Sequence, residues 1–295
     1  MTQDERSRAP VHALLADGTT TCIRAVRPDD HAQLRALYEE MSPQNLRLRF
    51  FAASGRSAVQ AADRACAAAR PGYCALLAEI RGQIIGLAEY ERTEEPATAE
   101  ISLAVAEGLH HRGIGTLLLE HLVSAARAEG ISAFAADALA ENHEILKVFA
   151  DLGLHTARRF EGPELRCRIR LDEDETYLTA VEARGSAADV ASLQPLLRPD
   201  SVAVVGAGRR AGSVGRAVLR NLRTGGFTRQ LFAVNPSVSS LMSVPAYPSV
   251  AALPQAPDLA VLAVPAPALA ATAEECGKAG VRALVVVTAG LDGAQ

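Results

Sequence analysis

The chain has 295 residues, of which 49% are apolar, and carries a formal net charge of −4 at pH 7. This length predicts two domains of roughly 100–200 residues each, and the charge argues against a nucleic-acid-binding protein. The five cysteines lack the paired spacing of zinc ligands or of a disulfide framework, which indicates a reducing compartment and no metal site. The first residues are polar and no apolar run of about 18 residues follows, so we expect a cytoplasmic protein without a membrane partner.

The first half of the chain mixes hairpins with crossover helices. In chain order the predicted elements are two extended segments around the Asp17-Gly18 turn, a helix after Asp29 and Asp30, a helix pair over 43–69, a hairpin at Arg81-Gly82, a strand over 98–105, a helix to Glu129, a strand over 131–137, a helix over 141–153 and two strands before residue 172.

The second half alternates apolar strands with amphipathic helices, which is typical of a parallel sheet covered on both faces. Strands are predicted over 201–208, 230–236, 258–267 and 281–290, with helices over 213–226 and 268–280. We therefore predict a two-domain α/β and α+β protein, with domains at 11–172 and 196–295 and a linker at 173–195. The chain ends directly after an apolar strand, so the second domain is expected to be incomplete.

The stretch LHHRGIGTLLLEHL, residues 109–122, places glycines before a helix. The first amides of a helix have no partner within it, and glycine lets a ligand approach the backbone closely. The helix dipole adds positive potential there. The loop therefore predicts a phosphate or diphosphate site, with an ordinary tight turn as the alternative. It lacks the Gly-Lys-Ser/Thr of a Walker A loop.

The same loop resembles the acyl-CoA loop of the GNAT superfamily of N-acetyltransferases, Gln/Arg-x-x-Gly-x-Gly/Ala, with His110 in the first position. Asn142, Phe149 and Gly153 are similar to the second cofactor element of that family. The resemblance implies a mixed sheet with flanking helices, whose central strands separate to admit acetyl-CoA. The cofactor-binding residues that it implies are Leu103, Ala104, Val105, His110, His111, Arg112, Gly113, Ile114, Gly115, Thr116, Asn142 and Phe149.

Acetyl transfer to an amine requires a neutral nucleophile, whereas a lysine side chain has an ordinary pKa near 10.4. A carboxylate on the strand before the loop can remove the proton, and Glu100 is the predicted catalytic base. The resemblance implies the same role for Glu100. Glu107, His110 and His111 are the alternative bases, and a surface position at a strand edge is the alternative role of Glu100.

Main-chain amides near Leu103 to Val105 are predicted to stabilise negative charge on the thioester oxygen. Phe149 stands where many GNAT enzymes have a tyrosine, so the leaving thiolate either takes a proton from water or departs unassisted. Asn142 is predicted either to cap its helix or to bind the pantetheine arm of the cofactor.

A second glycine loop follows an apolar strand, in the sequence VAVVGAGRRAGSVG. Its G-x-G-x-x-A spacing, completed by Ala211, is typical of a Rossmann-like nucleotide site, although Asn235 stands where NAD binding favours an acidic residue. The region resembles the CoA-binding domain of NDP-forming acyl-CoA synthetases. The residues of this loop predicted to bind CoA are Gly206, Gly208, Arg209 and Ser213.

The two domains in this order resemble the Pat-type bacterial protein lysine acetyltransferases. That resemblance implies direct acetyl transfer from acetyl-CoA to a lysine of a protein substrate, with an AMP-forming acyl-CoA synthetase as the expected partner. Two alternatives remain open: an N-acetyltransferase of small amines, and a non-catalytic sensor of acyl-CoA.

Overall fold

The chain divides into two units, Met1–Ser192 and Leu193–Gln295. The computed structural model describes residues 9–50, 55–67 and 70–288. No helix in these ranges is both long enough and apolar enough to cross a membrane.

An eight-stranded mixed sheet lies at the centre of the first unit, in the order β1-β2-β3-β4-β5-β6-β8-β7. Its strands are β1 (Val11–Leu14), β2 (Thr20–Ala25), β3 (Tyr73–Ile80), β4 (Gln83–Arg92), β5 (Thr98–Val105), β6 (Ala133–Leu139), β7 (Thr156–Glu161) and β8 (Glu164–Arg170). Neighbouring strands are antiparallel except for β5 and β6, which run parallel. Arg81 and Gly82 both have positive φ, as a two-residue hairpin turn requires. The predicted hairpins are therefore confirmed.

Helices cover both faces of this sheet. They are α1 (His31–Glu39), α2 (Pro43–Phe50), α3 (Gly55–Ala65), α4 (Ile114–Ala128), α5 (His143–Asp151) and α6 (Glu175–Leu197). Side chains of α1 and α3 share one buried cluster with Leu77 and Leu87 of the sheet. The apolar side of α4, from Leu118 to Ala126, is fully buried in the cluster on the opposite face. The predicted helix pair over 43–69 is present as α2 and α3, while residues 51–54 and 68–69 lie outside the described ranges.

The residues predicted as a linker, 173–195, form most of helix α6. Tyr177 of this helix is buried in the same cluster as α4, and the Arg127 guanidinium lies 4.6 Å from the centroid of the Tyr177 ring. The division between the two units falls within α6, after Ser192.

The second unit contains a sheet in the order β11-β12-β10-β9-β13-β14. Its elements are β9 (Ser201–Val205), α7 (Val214–Thr224), β10 (Gln230–Val234), β11 (Ser240–Leu241), β12 (Val244–Tyr247), β13 (Leu259–Leu262), α8 (Ala266–Ala279) and β14 (Ala283–Val286). The neighbouring pairs β12–β10, β10–β9, β9–β13 and β13–β14 are parallel, which confirms the parallel sheet predicted for β9, β10, β13 and β14. The sequence analysis missed β12 and the short edge strand β11, which is antiparallel to it. Helices α7 and α8 pack against opposite faces. Residues 289–295 lie outside the described ranges, so the expected incompleteness of this domain stays a prediction.

One buried carboxylate organises the polar contacts between the first sheet and the helices α2 and α3. Glu89 of β4 is 3% exposed and accepts a hydrogen bond from the Tyr73 hydroxyl at 2.5 Å. Arg64 and the Ser102 hydroxyl each donate to the other oxygen of Glu89 at 2.7 Å. Arg49 in turn donates to the Ser102 hydroxyl at 2.6 Å. Burial raises the pKa of Glu89, but the Tyr73 hydrogen bond and the charges of Arg64 and Arg49 outweigh it and hold the pKa below its ordinary value.

Replacement of Glu89 by Gln should lower the free energy of unfolding by about 3 kcal/mol at pH 7, because it leaves two arginines beside a buried neutral group. A carboxyl with a lowered pKa stabilises the fold above its unfolded pKa, and this contribution is lost as the pH falls through the folded value. Urea unfolding should therefore show the difference between wild type and Glu89→Gln shrinking as the medium becomes acidic. Glu91→Gln is the matched control, since Glu91 lies two residues further along the same strand and is exposed. An equal effect of the two variants would contradict the role of Glu89.

Candidate active site

The strands β5 and β6 diverge at the centre of the first sheet. Their pairing runs from Thr98 with Ala133 to Glu100 with Ala135, although β5 continues to Val105 and β6 to Leu139. A cavity of about 760 Å³ lies at this divergence and is lined by both strands, by the start of α4 and by α5. The separation of central strands that the resemblance implied is therefore present.

The divergence leaves main-chain amides of β5 without strand partners. Ala106 donates to Ile85 of β4, so alternation directs the amides of Leu103 and Val105 away from β4 and toward the cavity. The predicted charge-stabilising amides thus lie on the cavity side of β5. Leu103, Ala104 and Val105 all line the cavity, and their contact with the cofactor stays a prediction.

The glycine loop presents a second group of free amides to the same cavity. Gly113 precedes α4 with a φ of 79°, and the first helical hydrogen bond runs from Leu117 to the Gly113 carbonyl. The amides of Ile114, Gly115 and Thr116 therefore have no partner within the helix, and the helix dipole favours an anion beside them. A Cβ at Gly115 would lie 2.9 Å from Leu103 Cδ2, so glycine lets the loop lie close to β5 without displacing the Leu103 side chain. Free amides and positive potential together fit a diphosphate.

The side chain of Arg112 does not line this cavity, in contrast to the other loop residues predicted to bind cofactor. Its Nε donates to Asp17 Oδ2 at 2.8 Å, and one terminal nitrogen donates to Thr19 Oγ1 at 2.9 Å. The Ala16 amide donates to the Arg112 carbonyl at 3.1 Å. Arg112 thus anchors the loop to the β1–β2 turn, and a contact of its guanidinium with a phosphate would require this ion pair to break.

His110 and His111 connect the loop to the first turn of α5. His110 Nδ1 lies 3.0 Å from Glu144 Oε2, and His111 Nε2 lies 3.3 Å from Glu144 Oε1. Both histidines line the cavity, and His111 has a φ of 63°, which is uncommon for a residue with a side chain. Because both histidines contact the Glu144 carboxylate, a structural role at the cavity mouth is better supported for them than a role as catalytic base.

Asn142 and Phe149 place α5 along the cavity. Asn142 Oδ1 accepts a hydrogen bond from the Ile145 amide at 3.2 Å, so the helix-cap alternative is present. Asn142 also lines the cavity, so the side-chain NH2 group, which does not take part in the cap, can donate to a ligand there. Phe149 is 2% exposed and belongs to the buried cluster beneath α4, where it contributes an apolar wall and no proton.

Glu100 lies at the point where β5 and β6 separate. Its side chain is exposed and lines the cavity, and the ion pairs and hydrogen bonds among the described residues include none to it. Glu107, by contrast, accepts hydrogen bonds from the Ser42 amide at 3.1 Å and from Asn45 at 2.7 Å. The Ser42 contact leads those that lower the pKa of Glu107, which makes it a weaker base. Glu100 is therefore the best placed of the predicted bases.

Two parts of the cavity wall were not predicted. Arg49 and Ser102 line it next to Glu100 and belong to the polar cluster around Glu89. The only sequence signal was that Ser102 shares a face of β5 with Glu100. The other part is Ala180, Ala183 and Arg184 of helix α6, in a stretch whose composition suggested a linker.

The second glycine loop, in the other unit, connects β9 to α7. Gly206 has a φ of 87°, and a Cβ there would lie 2.4 Å from the Ala263 carbonyl oxygen. Gly208 has more room, since its Cβ would meet only Asn235 Nδ2 at 3.6 Å. Asn235 donates to the Ala207 carbonyl at 2.8 Å and so braces the loop.

Ser213 directly precedes α7, and its hydroxyl donates to the Arg210 carbonyl at 3.0 Å. The Arg209 carbonyl accepts a hydrogen bond from Arg216, and the side chain of Arg209 is exposed. The close helix–strand approach occurs at Gly215, where a Cβ would lie 2.7 Å from the Gly206 carbonyl oxygen, and not at Ala211, the third position of the predicted pattern.

Comparisons with known proteins match both units. The model of the acetyltransferase (GNAT) family matches residues 25–154, and the model of a CoA binding domain matches residues 200–294. The ADP-forming acetate–CoA ligase I of Archaeoglobus fulgidus is 40% identical over 98 residues, which are 33% of this chain and 14% of that protein. The alpha subunit of ADP-forming acetate–CoA ligase I of Pyrococcus furiosus is 34% identical over 103 residues, 34% of this chain and 22% of that protein. The chain thus spans less than a quarter of either relative.

A solved structure extends the match to nearly all of a GNAT domain. The GNAT domain of S. lividans PAT is 31% identical to this chain, with a TM-score of 0.51, and the match covers 56% of this chain and 97% of that one. The cavity between β5 and β6, which we call the groove from here on, has free amides that fit a diphosphate and a thioester oxygen. Similarity over almost the whole of that domain, together with this groove, shows that acetyl-CoA is the acetyl donor and that the chain belongs to the GNAT family of acetyltransferases.

Proposed function

We propose that this acetyltransferase transfers the acetyl group of acetyl-CoA directly to the ε-amine of a lysine on a protein. The observation that carries the proposal is the 31% identity to the GNAT domain of S. lividans PAT over 97% of that domain. The CoA-binding domain that follows supports the resemblance to Pat-type enzymes. Because the Glu100 side chain is exposed, a lysine presented on another protein can reach it.

The residues of the groove supply the elements of a direct transfer. Bound acetyl-CoA supplies the acetyl group as a thioester. The amides of Ile114, Gly115 and Thr116 would hold the diphosphate. The amides of Leu103 and Val105 would donate hydrogen bonds to the carbonyl oxygen as it gains negative charge.

Glu100 would accept a proton from the incoming ammonium group, directly or through one water. Only about one lysine in a thousand is neutral at pH 7, so removal of this proton controls how much nucleophile is present. The amine nitrogen would form its bond to the acetyl carbon as the bond between that carbon and the sulfur of CoA breaks. CoA would leave as a thiolate, which either takes a proton from water or departs unassisted, and no residue of this chain would form a covalent bond with the acetyl group.

Glu100→Gln should lower kcat at neutral pH by at least about 100-fold, with little change in the KM for acetyl-CoA, because the variant loses the base but keeps the groove. The deficit should narrow as rising pH makes the amine neutral without a base. Steady-state kinetics between pH 6 and 10 measure both effects.

Glu94→Gln is the matched control for this substitution, since Glu94 is an exposed carboxylate of the same β4–β5 region. Glu107→Gln tests the rival base. Wild-type rate and pH dependence in Glu100→Gln, or a larger loss in Glu107→Gln, would contradict the assignment.

The nature of the acceptor is tested by incubating the full chain with labelled acetyl-CoA and either a purified AMP-forming acyl-CoA synthetase or a panel of small amines. We expect label on a lysine of the synthetase, identified by mass spectrometry, and at least about 100-fold slower labelling with Glu100→Gln at neutral pH. Turnover of small amines alone would favour the first alternative. Binding of CoA without turnover of any amine would favour the sensor.

We further propose that the second unit binds CoA at the loop formed by Gly206, Gly208, Arg209 and Ser213. The Gly208 position has open space around it, so a carboxylate can be introduced without disturbing the loop. Calorimetry of the full chain with CoA should give two sites, and Gly208→Asp should remove one of them by repelling the phosphates. The acetylation rate at saturating acetyl-CoA should stay unchanged. A single site in the wild-type chain would contradict this proposal.

A further inference from the structure

Helix α6 lies outside the matched GNAT region, residues 25–154, yet it packs closely against the first unit. The contact between α6 and the first unit begins at Gly153, two residues after the end of α5, where the backbone has a φ of 78°. A Cβ at Gly153 would lie 2.7 Å from Ala180 Cβ and 3.3 Å from the Thr176 carbonyl oxygen. The absence of a side chain at Gly153 therefore allows α6 to approach the end of α5.

Arg184 joins α6 to both helices that border the acetyl-CoA groove. Its Nε donates to Glu120 Oε1 of α4 at 2.5 Å, and another guanidinium nitrogen donates to the Asp151 carbonyl at the end of α5. The side chains of Arg184 and Glu120 are 29% and 15% exposed. Burial raises the pKa of Glu120 despite the opposing charge of Arg184, which shows that the pair is partly removed from water. Such a pair is screened less than one on the open surface.

The C-terminal part of α6 contacts the β1–β2 turn, which anchors the glycine loop. A Cβ at Gly18 in the β1–β2 turn would lie 2.4 Å from the Ser192 amide nitrogen and 2.6 Å from Ala191, so α6 touches that turn. In the same turn Asp17 pairs with Arg112 of the glycine loop. Helix α6 therefore contacts α4 at Glu120, the end of α5 at Asp151, and also the β1–β2 turn that anchors the glycine loop.

Three residues of α6 line the same cavity as the glycine loop, namely Ala180, Ala183 and Arg184. We propose that helix α6 is a wall of the acetyl-CoA groove and that Arg184 is the positioning residue that holds this wall in place. The inference requires that acetyl-CoA binds in the groove, but it does not depend on which amine is acetylated. Because coupling between two events is reciprocal, a bound cofactor should also stabilise α6 against its neighbours.

The first test compares two alanines on the same helix. Ala183 and Ala187 are both exposed. Of these two alanines, Ala183 lines the cavity and Ala187 does not. In Ala183→Glu a carboxylate would stand beside the phosphates of CoA, so the affinity of the groove should fall at least about tenfold. In Ala187→Glu the affinity should stay within about twofold of wild type, because the same charge stands away from the cavity.

The full chain is titrated with CoA, and binding in the groove is monitored through hydrogen exchange of the peptide that covers residues 109–117. This readout is local to the groove, so CoA bound at the second unit does not affect it. Equal midpoints for Ala183→Glu and Ala187→Glu would overturn the proposal that α6 is a wall of the groove.

The second test addresses Arg184. In the wild-type chain, CoA should increase the exchange protection of residues 177–188. In Arg184→Ala this protection should be lost and the midpoint for the groove should rise about tenfold, while Arg184→Lys should recover part of both. In both variants the KM for acetyl-CoA should rise by a larger factor than kcat falls, because Arg184 acts on the groove and does not touch the reacting atoms.

Thermal unfolding identifies variants that are folded and therefore informative. A folded Arg184→Ala that binds CoA like wild type would overturn the positioning role. Unchanged exchange of residues 177–188 on addition of CoA to the wild-type chain would overturn the proposed coupling.

Discussion

The whole active site depends on the separation of two parallel strands. Paired strands satisfy each other's amides, and β5 and β6 stop pairing at Glu100 and Ala135. From that point the amides of Leu103 and Val105 lack a strand partner and are available to a thioester oxygen. The same separation makes room for an extended ligand and places Glu100 where that ligand would end. The proposed base, the proposed charge-stabilising amides and the groove are thus three results of one change in pairing.

The surrounding structure keeps this opening in a fixed shape. On one face, Glu89 connects two arginines, a tyrosine and Ser102 into one charged cluster next to Glu100, where the amine would enter. At the opposite end, the Asp17–Arg112 pair anchors the glycine loop from outside. Helix α6 packs against the same turn at Gly18 and against α5 at Gly153. The site is therefore held by contacts between segments that are distant in the sequence.

This distance explains which features could be predicted. The strands, the helices and both glycine loops follow from local signals, such as apolar periodicity and glycines at positions of positive φ. The side-chain contact of Arg112 could not be predicted, because its partner Asp17 lies in another hairpin. The stretch 173–195 suggested a linker because it is acidic and then helical and ends near Pro199. Its packing could not be predicted, because α6 contacts the first unit through residues distant in the sequence, such as Gly153 and Glu120. The antiparallel edge strand β11 is only two residues long, Ser240–Leu241, and carries almost no pattern.

The most direct test of the account is a crystal structure of the full chain with acetyl-CoA. The account predicts that the diphosphate contacts the amides between Gly113 and Thr116, that the thioester lies along β5 beside Leu103 and Val105, and that Glu100 is the nearest carboxylate to the acetyl carbon. A cofactor seated outside the groove, or a groove closed by side chains between β5 and β6, would contradict it.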